Sequence, residues 1–303
     1  MNGSIVEVRD LVKRYGEKAA VDRISFDVKA GEVFGLLGPN GAGKTTTLEC
    51  IEGMREFDGG SILVGGVDVK KEEKSIRKML GVQLQASSLP GEIRPAEAMT
   101  LICGWHGLPV RLDLINKFGL DKEPKKEYMQ MSTGQKRRLH LALALATNPA
   151  VVVLDEPTAG LDVEGRSQLH QIIRELKAEG ITFLLATHDM AEAEMLCDRI
   201  AIIIKGRLAT LGTPAQVTAA GNQETKITIQ TAKKSLLPGK DYNYARFVSE
   251  SEGYGIWVSE NISKGVSGLL QRIEENGDTV IDLRVERPSL EERFLEIVGM
   301  EDK

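Results

Sequence analysis

The residues with the clearest chemical capacity form one run, Gly38-Pro39-Asn40-Gly41-Ala42-Gly43-Lys44-Thr45-Thr46. It has the G-x-x-x-x-G-K-[ST] pattern. An apolar segment, Glu32-Val33-Phe34-Gly35-Leu36-Leu37, precedes it, and Thr47-Leu48-Glu49-Cys50-Ile51-Glu52 reads as the start of a helix. Glycines at these spacings let several backbone N–H groups turn inward around a phosphate, and the following helix adds its positive end. Lys44 is placed to reach the β- and γ-phosphates of a nucleotide, and the Thr45 hydroxyl to ligate magnesium. A plain Gly-rich turn beside a lysine is the competing reading, and it does not account for the full pattern in its strand–loop–helix setting.

A second group is acidic: Val151-Val152-Val153-Leu154-Asp155-Glu156-Pro157, a hydrophobic strand ending in two carboxylates. Asp155 at the strand end would hold Mg²⁺, directly or through water. Glu156 is placed to polarise a water attacking the γ-phosphate, a role typically contributing ~10²–10⁴-fold. An acidic turn after a strand is the alternative, weakened by Lys44 and Thr45 upstream.

These side chains need a scaffold, and the apolar pattern supplies one. Val6 and Val8, then Ile24, Phe26 and Val28, alternate as in half-buried strands, and Ser61-Ile62-Leu63-Val64 is another candidate. From about Pro95 to Asp121 the pattern turns helical, with Ala96, Met99, Ile102 and Cys103 on one face; Ala142–Leu145 sits in another helix. Val151–Leu154 and Thr182–Ala186 are fully apolar and read as buried strands. Between them Arg166–Ala178 is amphipathic, with Leu169, Ile172, Ile173 and Leu176 in helical phase. Alternating buried strands and helices indicate an α/β domain with a largely parallel sheet. Composition shifts near Ala219–Asn222. Beyond it come short strands around Ile227, Phe247 and Ile256, a helix around Gly265–Glu275, a strand at Ile281–Val285, and a last helix opening at Pro288-Ser289.

The chain has 303 residues, 42% hydrophobic and 27% charged, ordinary values for a globular protein with one large and one smaller domain. Its net charge of −5 argues against nucleic acid as a partner. No apolar run approaches the ~20 residues of a spanning helix. Glu7, Arg9 and Asp10 near the start give the expectation of no signal peptide. Cys50, Cys103 and Cys197 lie far apart and read as reduced, buried thiols of a cytosolic chain. His106, His140 and His170 are isolated in sequence and read as packing or surface residues.

Tyr128-Met129-Gln130-Met131-Ser132-Thr133-Gly134-Gln135-Lys136-Arg137-Arg138 precedes the Asp-Glu strand. It resembles the signature motif of ATP-binding cassette (ABC) ATPases, whose usual form is L-S-G-G-Q. Further family matches fall in order: Tyr15 with the aromatic that stacks on adenine, Gln85 with the Q-loop, Ala159-Gly160-Leu161-Asp162 with the D-loop, and His188 with the switch histidine. Gln83 competes for the Q-loop role, and the following Ala86-Ser87-Ser88-Leu89-Pro90 favours Gln85 by comparison with the family. The resemblance covers roughly residues 4–220. It implies an α/β P-loop NTPase cassette over 1–220, with a helical subdomain at about 90–145, followed by a small C-terminal α+β domain over 221–303.

The resemblance also implies roles. ATP would be held by Tyr15 and by Gly38 to Thr46, and Mg²⁺ by Thr45, Gln85 and Asp155. Glu156, His188 and Gln85 would be catalytic. Ser132, Thr133, Gly134 and Gln135 would face the ATP of a second cassette, with Asp162 in the D-loop, so that two sites form in a head-to-tail homodimer. Met131 and Thr133 depart from the usual Leu and Gly, and the segment between Q-loop and signature is short. The ending Arg287-Pro288-Ser289-Leu290-Glu291-Glu292-Arg293-Phe294-Leu295 resembles the tails of drug-resistance and ABC-2 type exporter ATPases. Leu290, Phe294 and Leu295 also read as packing residues of that last helix. The implied function is the ATPase subunit of an exporter, peripheral on the cytoplasmic face of the membrane and driving a separate transmembrane permease. Two alternatives stand beside it: a soluble cassette ATPase of DNA repair or translation, and a regulatory cassette that hydrolyses weakly. The single motif set, the lack of a long heptad insertion and the acidic charge count against the first. Intact Lys44, Asp155, Glu156 and His188 count against the second.

Overall fold

Strands form where β-branched and apolar residues cluster in the computed structural model, which describes residues 3–84, 88–221, 224–236, 239–242 and 244–301. The chain divides into two compact units, Met1–Pro214 and Ala215–Lys303.

The first unit contains a six-stranded sheet in the order Arg207–Gly212, Arg199–Ile204, Val33–Leu37, Thr182–Thr187, Val151–Asp155, Leu80–Gln83. Only the first pair is antiparallel. Every residue of Val33–Leu37, Val151–Asp155 and Thr182–Thr187 is buried. This is why these segments show no polar alternation: both faces are covered. A second, antiparallel sheet joins Lys18–Lys29, Ser4–Tyr15, Gly59–Val64 and Val67–Asp68. Phe26 of this sheet stacks on Phe34 of the first at 5.2 Å, so the two sheets share one core. The helix Lys44–Ile51 packs Leu48 and Ile51 into that core with Val151, Val153 and Leu184.

The parallel register decides where chemistry can occur. Leu37 lies beside Thr187, and Asp155 beside Ala186. The segments after these strands therefore leave the sheet together at its carboxyl edge, the ligand edge of open α/β sheets.

The helical stretch expected over Pro95–Asp121 is two helices, Pro95–Trp105 and Leu112–Lys117. Gly107 at φ 64° and Pro109 stand in the break, where one needs no Cβ and the other supplies no N–H. Of the expected face Met99 and Cys103 are buried, Ile102 is half-buried and Ala96 is exposed; Pro95 and Ala98 complete the buried stripe. The helix Val163–Ala178 buries Leu169, Ile173 and Leu176 as its phase requires. All three cysteines are free and buried.

The second unit is an antiparallel sheet ordered Arg246–Ser251, Tyr254–Ser259, Thr225–Thr231, Val280–Glu286. Ile227, Ile229 and Trp257 form its core with Leu269 and Ile273 of the helix Ile262–Glu275. The last helix, Leu290–Glu301, is capped by Ser289, whose hydroxyl accepts from the Glu292 N–H at 3.1 Å. Leu290 is buried and Phe294 partly so, but Leu295 is 61% exposed, contrary to its reading as a packing residue. Positions 290, 294 and 297 share a helical face, and 295 lies off it.

Candidate functional site

The loop after Val33–Leu37 is shaped by backbone that other residues cannot adopt. Gly43 has φ 107°, and a Cβ there would meet the Ala20 carbonyl oxygen at 2.4 Å. A Cβ on Gly38 would meet the Ile203 carbonyl oxygen at 2.2 Å. The loop is thus pressed against neighbouring backbone, leaving its N–H groups for the concave side. Ala42 closes a turn onto the Pro39 carbonyl at 3.2 Å. Lys44 Nζ donates to the carbonyls of Gly38 at 2.7 Å and Pro39 at 3.2 Å, which holds the ammonium inside the loop. Burial lowers the Lys44 pKa, opposed by the nearby Glu156 and Asp155 carboxylates.

Residue 45 is 110 positions from Asp155 in sequence, yet the Thr45 hydroxyl donates to Asp155 Oδ2 at 3.0 Å. The other oxygen, Oδ1, is buried without a partner among the described residues. Burial raises the Asp155 pKa, the Thr45 bond lowers it, and the Glu156 charge raises it again. A buried carboxylate with one orphaned oxygen beside a threonine hydroxyl is an oxygen donor set suited to a hard divalent cation. The residues present therefore fit magnesium. Gln85, the third expected ligand, lies outside the described residues. Gln83 ends the strand Leu80–Gln83, buried, with neither side-chain amide atom partnered among the described residues.

Glu156 follows the strand with φ 49°, in the left-handed region that a residue with a Cβ enters at a cost of about 1–3 kcal/mol. Its N–H is tied to the Ala186 carbonyl at 2.9 Å, which holds that conformation. The reversed backbone leaves its carboxylate 2.8 Å from His188 Nδ1. Lys44, Thr45, Asp155, Glu156 and His188 thus occupy one sheet edge.

Ser132 to Gln135 form a different place. Ser132 caps the helix Thr133–Ala144: its hydroxyl accepts from the Gln135 N–H at 3.2 Å, and Gln135 Oε1 accepts from the Ser132 N–H at 3.0 Å. Gln135 Nε2 also donates to Glu123 at 3.1 Å. This helix end lines a cleft of about 400 Å³ together with Arg138, Asp162 and Gln168, and no residue of the 38–46 loop lines it. Asp162 caps the helix Val163–Ala178 by accepting from the Gly165 N–H at 2.8 Å. Tyr15 is 46% exposed, with the Arg55 guanidinium 5.4 Å and Lys13 Nζ 5.5 Å from its ring centroid.

Three residues near these sites have no role that the sequence assigns. Glu52, at the end of the helix Lys44–Ile51, is buried, and desolvation followed by the Asp155 and Glu49 charges pushes its pKa up to about 7. Arg137 reaches from the Thr133–Ala144 helix to the Ala159 carbonyl at 3.5 Å. Arg55 pairs with Glu49 at 2.5 Å beside Tyr15. Glu52 and Arg55 belong to no motif, and Arg137 lies within the 128–138 stretch with no role read for it there; only the fold brings them in.

A family model described as "ABC transporter" matches residues 21–159. The linearmycin resistance ATP-binding protein LnrL of Bacillus subtilis (strain 168) is 30% identical over 97% of this chain and 98% of its own length. The daunorubicin resistance ATP-binding protein DrrA3 of Streptomyces coeruleorubidus is 33% identical over 99% and 97%. A Nod factor export ATP-binding protein I of Burkholderia orbicola is 39% identical over 71% and 72%. Among solved structures, an ATP-binding subunit of an ABC transporter superposes with TM-score 0.65 at 28% identity, covering 72% of this chain and 93% of that one.

Proposed function

The chain belongs to the ATP-binding proteins of ABC transporters, an ATPase family, and from that premise we propose that it is the ATP-hydrolysing subunit of an exporter. The observation that carries the reading is the convergence of Lys44, Thr45, Asp155, Glu156 and His188 at one sheet edge.

In this reading the 38–46 loop and the start of the Lys44–Ile51 helix bind the phosphates, and Tyr15 stacks on adenine. Thr45 and Asp155 hold magnesium, with Gln85 as a third ligand. When bound, magnesium neutralises phosphate charge and orients the γ-phosphoryl group. Glu156 orients the attacking water and accepts its proton. His188 holds Glu156 at 2.8 Å and contacts the γ-phosphate, so both sides of the reacting centre are fixed by one hydrogen bond.

Ser132, Thr133, Gly134 and Gln135, with Asp162, complete the site of a second cassette. Support comes from the separate cleft they line, onto which the N-terminus of the helix Thr133–Ala144 opens with the positive end of its dipole. The working unit is then a head-to-tail homodimer that closes on two ATP and reopens after hydrolysis, a population shift driven by γ-phosphate contacts. Export follows the relatives, two of them resistance ATP-binding proteins and one a Nod factor export ATP-binding protein. In this reading a separate transmembrane permease supplies the pathway and this subunit sits on the cytoplasmic face; no helix among the described residues is long and apolar enough to cross a membrane. The test is ATPase specific activity against protein concentration. A head-to-tail site predicts specific activity that rises with concentration and then saturates; a flat profile at the lowest workable concentrations contradicts it.

A further inference from the structure

His170 and Glu192 are 2% and 0% exposed at their side chains and meet at 3.3 Å. His170 lies on the helix Val163–Ala178 and Glu192 on the helix Met190–Leu196. One turn earlier on the first helix, Arg166 donates to Asp189 at 2.7 Å. Asp189 follows His188 directly and caps the second helix, accepting from the Glu192 N–H at 3.0 Å. Positions 166 and 170 thus share one face and grip Asp189 and Glu192, the two ends of the helical turn that directly follows His188. His188 itself is 59% exposed, with Glu156 as the partner of its ring, so the position of its backbone depends on the elements around it.

The buried pair is a poor device for stability alone. Glu192 Oε2 has no partner among the described residues, and a pair of apolar side chains of similar volume would serve the packing at least as well. We propose that His170 and Glu192 are positioning residues that hold His188 in register with Glu156. His170 fixes Glu192, Glu192 fixes the first turn of Met190–Leu196, and that turn fixes the backbone at Asp189. The inference rests on the role given to His188 above.

The protein has four histidines, so ¹⁵N imidazole NMR can follow His188 directly. In His170→Leu/Glu192→Leu, the His188 Nδ1 signal is expected to move toward that of a free imidazole. kcat should fall about tenfold with KM for ATP unchanged, because misplacement of a reacting-centre group affects the chemical step rather than binding. His170→Gln places an amide donor where Nε2 was and should restore both signal and kcat. A double variant that melts like the parent, with an unmoved His188 signal and parental kcat, would overturn the proposal. Should that variant not fold, His170→Phe keeps a ring of similar size and removes only the bond to Glu192, and an unmoved His188 signal there overturns it equally. The two layers separate in the parent: a non-hydrolysable MgATP analogue that leaves His188 unmoved refutes its phosphate role without touching the positioning inference.

Discussion

Glu52 offers a prediction whose size follows from its surroundings. The carboxyl is 4% exposed, one oxygen has no partner among the described residues, and Asp155 and Glu49 add like charge. Its pKa is pushed from 4.5 up to about 7, with burial the largest cause. A group held more tightly protonated in the folded state stabilises that state fully below its unfolded pKa, and the contribution is lost as pH rises through the folded value. At about 1.4 kcal/mol per tenfold, the full span amounts to about 3 kcal/mol, most of it lost between pH 5 and 8. Glu52→Gln keeps the shape and removes the charge. The stability of the variant relative to the parent should therefore improve by about 2–3 kcal/mol on going from pH 5 to pH 8, whatever constant offset the amide brings. Urea titrations of the nucleotide-free protein, followed by far-UV circular dichroism at several pH values, measure this. A pH-independent difference, or one growing in the opposite sense, would refute the account of this carboxyl.

The remaining predictions concern the nucleotide site. Glu156→Gln keeps an acceptor for His188 and spares magnesium but cannot take the proton; turnover should drop about 10²–10⁴-fold while ATP binding persists, as measured by steady-state hydrolysis and nucleotide titration. Lys44→Ala removes the ammonium held inside the loop and should abolish useful ATP affinity, which calorimetric titration checks. Gly43→Ala forces a Cβ to 2.4 Å from the Ala20 oxygen at a positive φ, so nucleotide binding should be lost even though no functional side chain changes. Thermal melts with and without MgATP should show that this variant has lost the ligand-induced shift.

Local chemistry was the most legible part of this sequence. The 38–46 run is legible because glycines, lysine and threonine at fixed offsets form a recognisable pattern, although what presses on Gly38 and Gly43 is the distant backbone of Ile203 and Ala20. The buried strands Val151–Asp155 and Thr182–Thr187 were visible because two covered faces erase alternation. What joins Thr45 to Asp155 across 110 positions is sheet register, and the residues alone state no register; the family resemblance brought the motifs together. Ala96 and Leu295 were misplaced because a short apolar run fits more than one helical phase, and only packing selects the buried stripe. Glu156 at φ 49° was invisible, since nothing about a glutamate announces a left-handed backbone. His170 read as a packing histidine because its partner, Glu192, sits 22 positions away on another helix.

The central claim is that this ATPase drives a membrane exporter. The most direct measurement is capture of tagged Glu156→Gln protein, with ATP, from detergent-solubilised membranes of its own host, read by mass spectrometry. The account predicts a stoichiometric polytopic membrane protein in the captured complex. Recovery only from the soluble fraction, with ribosomal or DNA-repair proteins, would contradict it.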